Sequence, residues 1–516
     1  MKIIRCSLCI GSLLLGASAC GNSANPSSGT KGSAAGAPDM SVDGTSGATQ
    51  TVVGGKSGTD LVVPPPGGAG GSDGTCTGST CTCAPGNTTT IEGFVYDPAG
   101  KNPLYNISVY VADPSSPLPD LDQVPLACGC EQLLPKKVLA MGNPTDATGH
   151  FVIPCAPSGT VSLVVQTGKW RMKYDGITVT PNQANMAPKL RLPANSAEGS
   201  LPNIAIATGA SDSFECLPMR IGVSKSEYVG GSTPGGHIHI YSGYRGAKTA
   251  QGTVDANQGL WDSQAHFNEH DVVLLSCEGQ ETTGGNPGAA VGATEQGYLM
   301  NYANAGGRVF ASHFQYSWLN TGPFATGANN IATWSPGPQH LDDTVALMAD
   351  IDTTLPSGAA FPEGVALAQW LKLVGALTGN QLPVWFTRNN VQALNAPPST
   401  EWIRLDANAP NAPLAPQYFS VDTPMNAAGG ELCGRVVYSD LHVSGGPGTN
   451  APGIPADYPT QGMGMGMGMG GQMRGGVVPD ECADHPLTPQ EAALEFMLFD
   501  LSSCLVPIGQ SPVIPK

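Results

Sequence analysis

The chain has 516 residues, long enough for two or three domains with cores of their own. Charged residues make up only 12%, about half the usual share of a soluble domain, and the formal net charge is −17. That balance repels phosphate backbones and anionic surfaces and argues against a nucleic-acid partner.

The N-terminus carries Lys2 and Arg5, an apolar run from Leu8 to Leu15, then Ala17-Ser18-Ala19-Cys20. A basic start, a short apolar core and small residues before a cysteine form a bacterial export signal over 1–20. Its end resembles a lipobox, in which the signal is cut before a cysteine that receives a diacylglycerol. The resemblance implies lipidation at Cys20 and, with Gly21 after it, sorting to the outer membrane. The membrane is then a partner through the lipid anchor, at about 0.8 kcal/mol per buried methylene. Ala17 stands where the family has Leu, and Ala17-Ser18-Ala19 is also an A-x-A cleavage site, so simple secretion is the alternative. Beyond the signal no apolar run approaches the roughly 18 residues of a membrane span.

Residues 21–87 are dominated by Gly, Ser, Ala, Pro and Thr, with a Pro64-Pro65-Pro66 run. Such a stretch buries too little apolar surface to offset chain entropy and reads as a disordered tether, reaching about 45 Å as a flexible coil. The 14 cysteines fit an oxidising compartment. With Cys6 and Cys9 lost with the signal and Cys20 lipidated, 11 remain. An odd number leaves one thiol free or draws Cys20 into a disulfide. Cys76, Cys81 and Cys83 read as a small knot; no CxxC pair with matching His points to zinc.

From Thr88 the texture changes. Ile91–Tyr96 alternates as a strand, Asp97-Pro98-Ala99-Gly100 turns, Ile107–Val111 is a second strand, and Thr145–Gly149 turns before Phe151–Ile153 and Val161–Val165. Short strands with turns between them predict a β-sandwich over 88–195. Gly93, Val95, Asp97, Gly100, Pro103 and Leu104, followed by Thr145, Asp146, Gly149 and Phe151, resemble the carboxypeptidase regulatory-like domain. That is a transthyretin-like sandwich, and the resemblance implies an accessory module without catalytic residues, linked to cell-surface or carbohydrate contact. The insertion with Cys128-Gly129-Cys130 is expected to decorate a loop.

Residues 196–235 read as a connector with one cysteine, Cys216, and a second domain spans 236–505. Ile238–Tyr241, Asp271–Ser276, Arg308–Ser312 and Gly434–Ser439 read as strands, while Trp261–Glu269, Thr294–Ala305 and Val365–Val374 read as helices. Thr488 and Glu491 form a capping box that opens a last helix. Unbroken apolar strands alternating with helices predict a flavodoxin-like α/β domain with a parallel sheet covered on both faces. A Gly/Met-rich insertion at 445–480 interrupts it, with Gly and Met alternating over 462–469. Thioethers suit Cu(I), but the repeat has no His and reads as a low-complexity loop.

In such sheets ligands bind at the carboxyl ends of the strands. Three strand ends carry polar groups: Ser276-Cys277-Glu278-Gly279, Ser312-His313-Phe314 and Asp440-Leu441-His442. The pattern resembles the class I glutamine-amidotransferase-like fold, in its ThuA-like branch. That family places a nucleophilic Cys at the elbow where this chain has His313, without flanking glycines. The resemblance puts His442 where the late His of the Cys–His pair would lie. Cys277 lies one strand earlier and substitutes for the nucleophile only if the sheet brings it close; otherwise it is a disulfide or buried thiol. His237 and His239 share a strand face and are weak metal candidates, with ordinary packing as the alternative.

The sequence therefore gives an envelope lipoprotein that binds a saccharide or other cell-wall ligand without catalysis, with no cofactor. A hydrolase built on His313 and His442, with Glu278 or Asp440 as acid/base, is the alternative; a structural protein without a ligand is the third.

Overall fold

The computed structural model describes residues 75–513, apart from 78–79, 84–85, 245, 251, 282–290, 342–345, 426, 428–431, 443–476, 481 and 483. The export signal, Cys20, the tether up to residue 74 and the Gly-Met repeat at 462–469 lie outside them. The described chain is β-rich, with several sheets and few helices. No described helix is long and apolar enough to cross a membrane.

The segment after Thr88 forms two facing sheets. Strand β1 (Thr90–Tyr96) is followed by β2 (Ser108–Ala112), β3 (Val138–Met141), β4 (His150–Ile153), β5 (Gly159–Thr167), β6 (Trp170–Val179), β7 (Ala184–Met186), β8 (Leu190–Arg191) and β9 (Gly199–Ser200). One sheet has the order β8-β1-β4, with β7 also on β1; the other runs β9-β6-β5-β2-β3. Period-2 alternation puts Ile91 and Val95 of β1 into the core with Phe151, Leu163 and Val165. Both expected turns need a left-handed glycine, Gly100 at φ 68° and Gly149 at φ 76°.

The second sheet has ten strands. They are β10 (Ile204–Thr208), β11 (Tyr228–Gly230), β12 (Ile238–Ser242), β13 (Val272–Leu275), β14 (Arg308–Ser312), β15 (Leu347–Ile351), β16 (Leu382–Val384), β17 (Ser399–Leu405), β18 (Pro416–Thr423) and β19 (Gly434–Ser439). Their order is β11-β12-β10-β13-β14-β19-β18-β17-β15-β16. The six strands from β11 to β19 run parallel, and the other four are antiparallel. The sheet is therefore mixed, whereas the sequence reading expected it parallel throughout.

Two further expectations change. The 196–235 segment, read as a connector, holds β10, which lies at the middle of the parallel half. Trp261–Glu269, read as a helix, contributes only the single turn Gln264–Phe267. Asp262, Ser263, Gln264 and Asn268 in that stretch favour local side-chain bonds over helix propagation, and the Ser263 hydroxyl caps the turn.

The continuous apolar strands follow from burial on both faces. Ile204, Ile206, Val272, Leu274, Phe310 and Val437 belong to one core; Ala205, Ala207, Val273, Leu275, Val309, Ala311 and Val436 belong to the other. The second core is closed by α1 (Ala293–Asn304), through Leu299 and Tyr302. The first takes in α2 (Pro362–Leu373), α3 (Pro489–Ser502) and the sandwich. Phe496 of α3 packs on Tyr105 and Trp370, and Phe499 packs on Trp170 of β6. The Thr488–Glu491 capping box opens α3 as the sequence predicts.

Four disulfides are described: Cys83–Cys155, Cys128–Cys433, Cys130–Cys504 and Cys216–Cys482. Cys83 thus pairs with the sandwich, and the Cys128-Gly129-Cys130 insertion, expected to decorate a loop, fastens the sandwich to the ten-stranded sheet. Bridges over separations of 266 to 374 residues close very large loops. On chain entropy, the first such closure stabilises by on the order of 5 kcal/mol.

Candidate functional site

Four parallel strands, adjacent in the sheet, end at one place. The chain leaves β10 into Asp212, β13 into Cys277, β14 into His313 and β19 into His442. Connections run to opposite sides from β10 and β13, so the cluster sits at the topological switch point, where open α/β sheets bind ligands. Gly209 allows the convergence: a Cβ there would collide with the Cys277 carbonyl oxygen.

The geometry is tight. Cys277 Sγ lies 3.3 Å from His313 Nδ1, and the His313 and His442 rings are 4.8 Å apart between centroids. One ligand atom from each of Cys277, His313 and His442 lies within 4.8 Å of the other two. Asp212 Oδ2 is 3.5 Å from His442 Nδ1, accepts the Cys277 backbone N–H at 3.3 Å and accepts the Ser312 hydroxyl. All four residues are buried, and Cys277 is the free cysteine among those described.

The two imidazoles are pushed apart in basicity. Burial, then the charges of His442 and Arg388, hold His313 well below the usual histidine range. Burial also opposes charge on His442, but Cys277 and Asp212 outweigh it and raise His442 to about 9. At neutral pH one imidazole is neutral and its neighbour is a cation, the division of labour that proton transfer needs.

His313 occupies the expected elbow, between β14 and a 3₁₀ turn over His313–Trp318. Its φ is 43°, a left-handed value that costs a non-glycine residue about 1–2 kcal/mol. The elbow is braced from β19, where the Tyr438 hydroxyl donates to the His313 carbonyl at 2.9 Å. Gln490 of α3 donates to the His442 carbonyl and fixes that backbone in turn.

The other sequence candidates go elsewhere. Glu278, raised to about 7 by burial, faces the Tyr244 backbone and the Gln315 side chain. Asp440, also raised to about 7 by burial, accepts the Asn390 and Val391 backbone N–H groups at 2.7 and 2.9 Å and meets the Tyr438 hydroxyl at 2.9 Å. It shapes a loop. His237 pairs with Glu227 at 2.7 Å, while His239 meets the Gly231 carbonyl and the His270 ring, so the two do not converge on a metal. Asp212 is not among the sequence candidates, because the sequence reads 196–235 as a connector where the structure has β10. The signal available is Ile204-Ala205-Ile206-Ala207-Thr208, a short apolar run like the other buried strands.

Cys277, His313 and His442 are near enough to share one soft metal ion, with Asp212 behind His442. Ligation requires both imidazoles neutral.

No protein-family model matches the chain, and no curated protein matches it. Among solved structures, the chain is similar to parts of a C-terminal and an N-terminal interface mutant of a type II cohesin–X-dockerin complex from Acetivibrio cellulolyticus. Identity is 12% in both, over 29% of this chain and 88% of that chain, with TM-scores of 0.16 and 0.15. A likeness of that size carries no argument about fold or function.

Proposed function

We propose that the protein is an exported hydrolase or acyl transferase of the thiol type, carried on the parallel, flavodoxin-like half of the large sheet and held at the envelope by lipid on Cys20. The observation that carries the reading is the convergence of Cys277, His313, His442 and Asp212 at four adjacent strand ends. Non-catalytic binding, which the sequence favours, leaves a buried Cys–His–Asp set and a strained His313 without a role. The elbow His of the amidotransferase resemblance becomes a partner of the nucleophile, and the thiol comes from the neighbouring strand.

The chemistry follows from the placement. Cys277 Sγ attacks the carbonyl carbon of an amide or ester, forming a C–S bond. As the C–N or C–O bond breaks, His442 gives its proton to the leaving group. Water then adds to the thioester and loses a proton to His442; the C–S bond breaks, releasing the carboxylic acid and restoring the pair of Cys277 thiolate and His442 cation from which the attack began. Asp212 orients His442 and stabilises its cation. His313, neutral and 3.3 Å from Sγ, orients the thiol.

Cysteine parity supports the anchor. Eight described cysteines are paired, Cys277 is free, and the backbone register places Cys76 opposite Cys81. Palmitate labelling lost in Cys20→Ser checks the anchor. For the chemistry, native full-length protein is treated with iodoacetamide and the modified cysteine is mapped. Cys277 should alkylate, His442→Ala should slow it at least tenfold, and a thioester-forming ester substrate should give a burst lost in Cys277→Ala. A Cys277 that reacts only after denaturation, with no ester or amide turnover, would overturn the reading.

A further inference from the structure

A cavity of about 540 Å³ opens where the sandwich meets α2 and α3, and none of the thiol-site residues lines it. Its volume lies in the range of small-ligand sites, roughly 300–1,000 Å³. Asp97, Lys101 and Asn102 come from the first sandwich turn, and Arg220 from the segment after β10. Apolar surface is supplied by Leu487 and Ala492 at the start of α3.

The polar groups are held before any ligand arrives. Asp97 Oδ1 accepts the Lys101 backbone N–H at 2.6 Å. Asn102 Nδ2 donates to Glu495 Oε2 at 2.7 Å, and Arg220 is paired with Glu491. Glu495, one turn along α3 from Ala492, keeps Oε1 buried without a hydrogen-bond partner. Fixed acceptors and donors thus stand beside an apolar wall. Charge is close to balance: with Arg220 neutralised by Glu491, Asp97 and the exposed Asp484 face Lys101, one carboxylate in excess. Neither a phosphate nor a polyamine is favoured. A ring that carries hydroxyls and an apolar C–H face matches both the polar groups and the wall.

We propose that this cavity is a binding site for a neutral, hydroxyl-rich ligand of disaccharide size, bridging the sandwich and the large sheet. It is independent of the thiol chemistry. Isothermal titration of the full chain with cellobiose, maltose and diacetylchitobiose tests it, with inorganic phosphate and spermidine as charged probes. At least one disaccharide should bind, Asn102→Ala and Leu487→Trp should each weaken it about tenfold, and Cys277→Ala should bind as the wild type does. Leu487→Trp fills the cavity from a half-buried position, and the thermal midpoint of each variant reports that it is folded. Three results would overturn the proposal: no disaccharide binding at millimolar concentration, binding untouched by either folded variant, or binding of phosphate or spermidine in place of sugar.

Discussion

At the entry to β14 and β19 stand Arg308 and Arg435; at the exit of the same strands stand His313 and His442. The entry cluster is closed. Arg435 donates to both oxygens of Asp422, at 2.7 and 3.2 Å, and to Asp500 at 2.8 Å, while Arg308 caps the carbonyls of Cys433, Leu501 and Ser503. Burial works against its charge, but Asp422 and Asp500 keep the Arg435 guanidinium ionised at any accessible pH. The exit cluster is less tightly paired, with one thiol, two imidazoles of opposite character and one carboxylate that His442, the Cys277 N–H and the Ser312 hydroxyl approach. A guanidinium pins strand β18, strand β19 and helix α3 together and cannot move a proton. An imidazole pair beside a thiol can. The same pair of strands therefore carries its permanent charge at one end and its titratable charge at the other.

Breaking the closed end should cost most. Arg435→Met leaves Asp422 and Asp500 buried without their cation, and a loss of about 3–5 kcal/mol in unfolding free energy is expected. Cys277→Ala at the open end should stay within about 2 kcal/mol of wild type and abolish turnover. Urea unfolding of both variants makes the comparison, and equal losses would erase the distinction between the two clusters.

Much of the open end was legible in the sequence, and its limits have physical causes. Strand ends at Cys277, His313 and His442 follow from runs such as Val272–Leu275 and Arg308–Ser312, whose burial on both faces removes any polar alternation. Asp212 did not follow, because three of the five residues of β10 are alanine or threonine. Its strand character comes from being hydrogen-bonded on both edges, by β12 and β13. The antiparallel half was not legible either. Pairings such as β18 with β19 are non-local, and nothing in β18 alone fixes its direction. The sandwich's turns were readable because Gly100 and Gly149 are local necessities, whereas its fastening through Cys128 and Cys130 depends on cysteines more than 300 residues away.

The open cluster should also betray itself by titration. His442 is raised from 6.5 to about 9, so the folded state holds its proton more tightly than the unfolded chain does. Its contribution, on the order of 3 kcal/mol, is present in full below pH 6.5 and is lost as pH rises through about 9. Thermal melts between pH 6 and 10 should show that decline. Asp212→Asn, which removes one of the two groups holding the proton, should move the decline to lower pH. Identical profiles for wild type and Asp212→Asn would disconnect Asp212 from His442. The ion pair of Arg435 with Asp422 predicts no change over that window.

The smallest effect sharpens the comparison most, because it separates holding the fold from aiming a side chain. Tyr438 lies on β19 between the two clusters, and its hydroxyl is 2.9 Å from both the His313 carbonyl and Asp440. Tyr438→Phe keeps the ring packed against Trp334 and Phe419 and removes the hydroxyl that braces the left-handed His313 and also meets Asp440. Stability should fall by about 1 kcal/mol, the worth of one hydrogen bond. If His313 aims the thiol, alkylation of Cys277 should fall further than that loss of stability explains, by about tenfold, because the elbow no longer holds Nδ1 against Sγ. Alkylation that stays at the wild-type rate would make the brace a matter of folding alone and leave His313 as a bystander to Cys277 and His442.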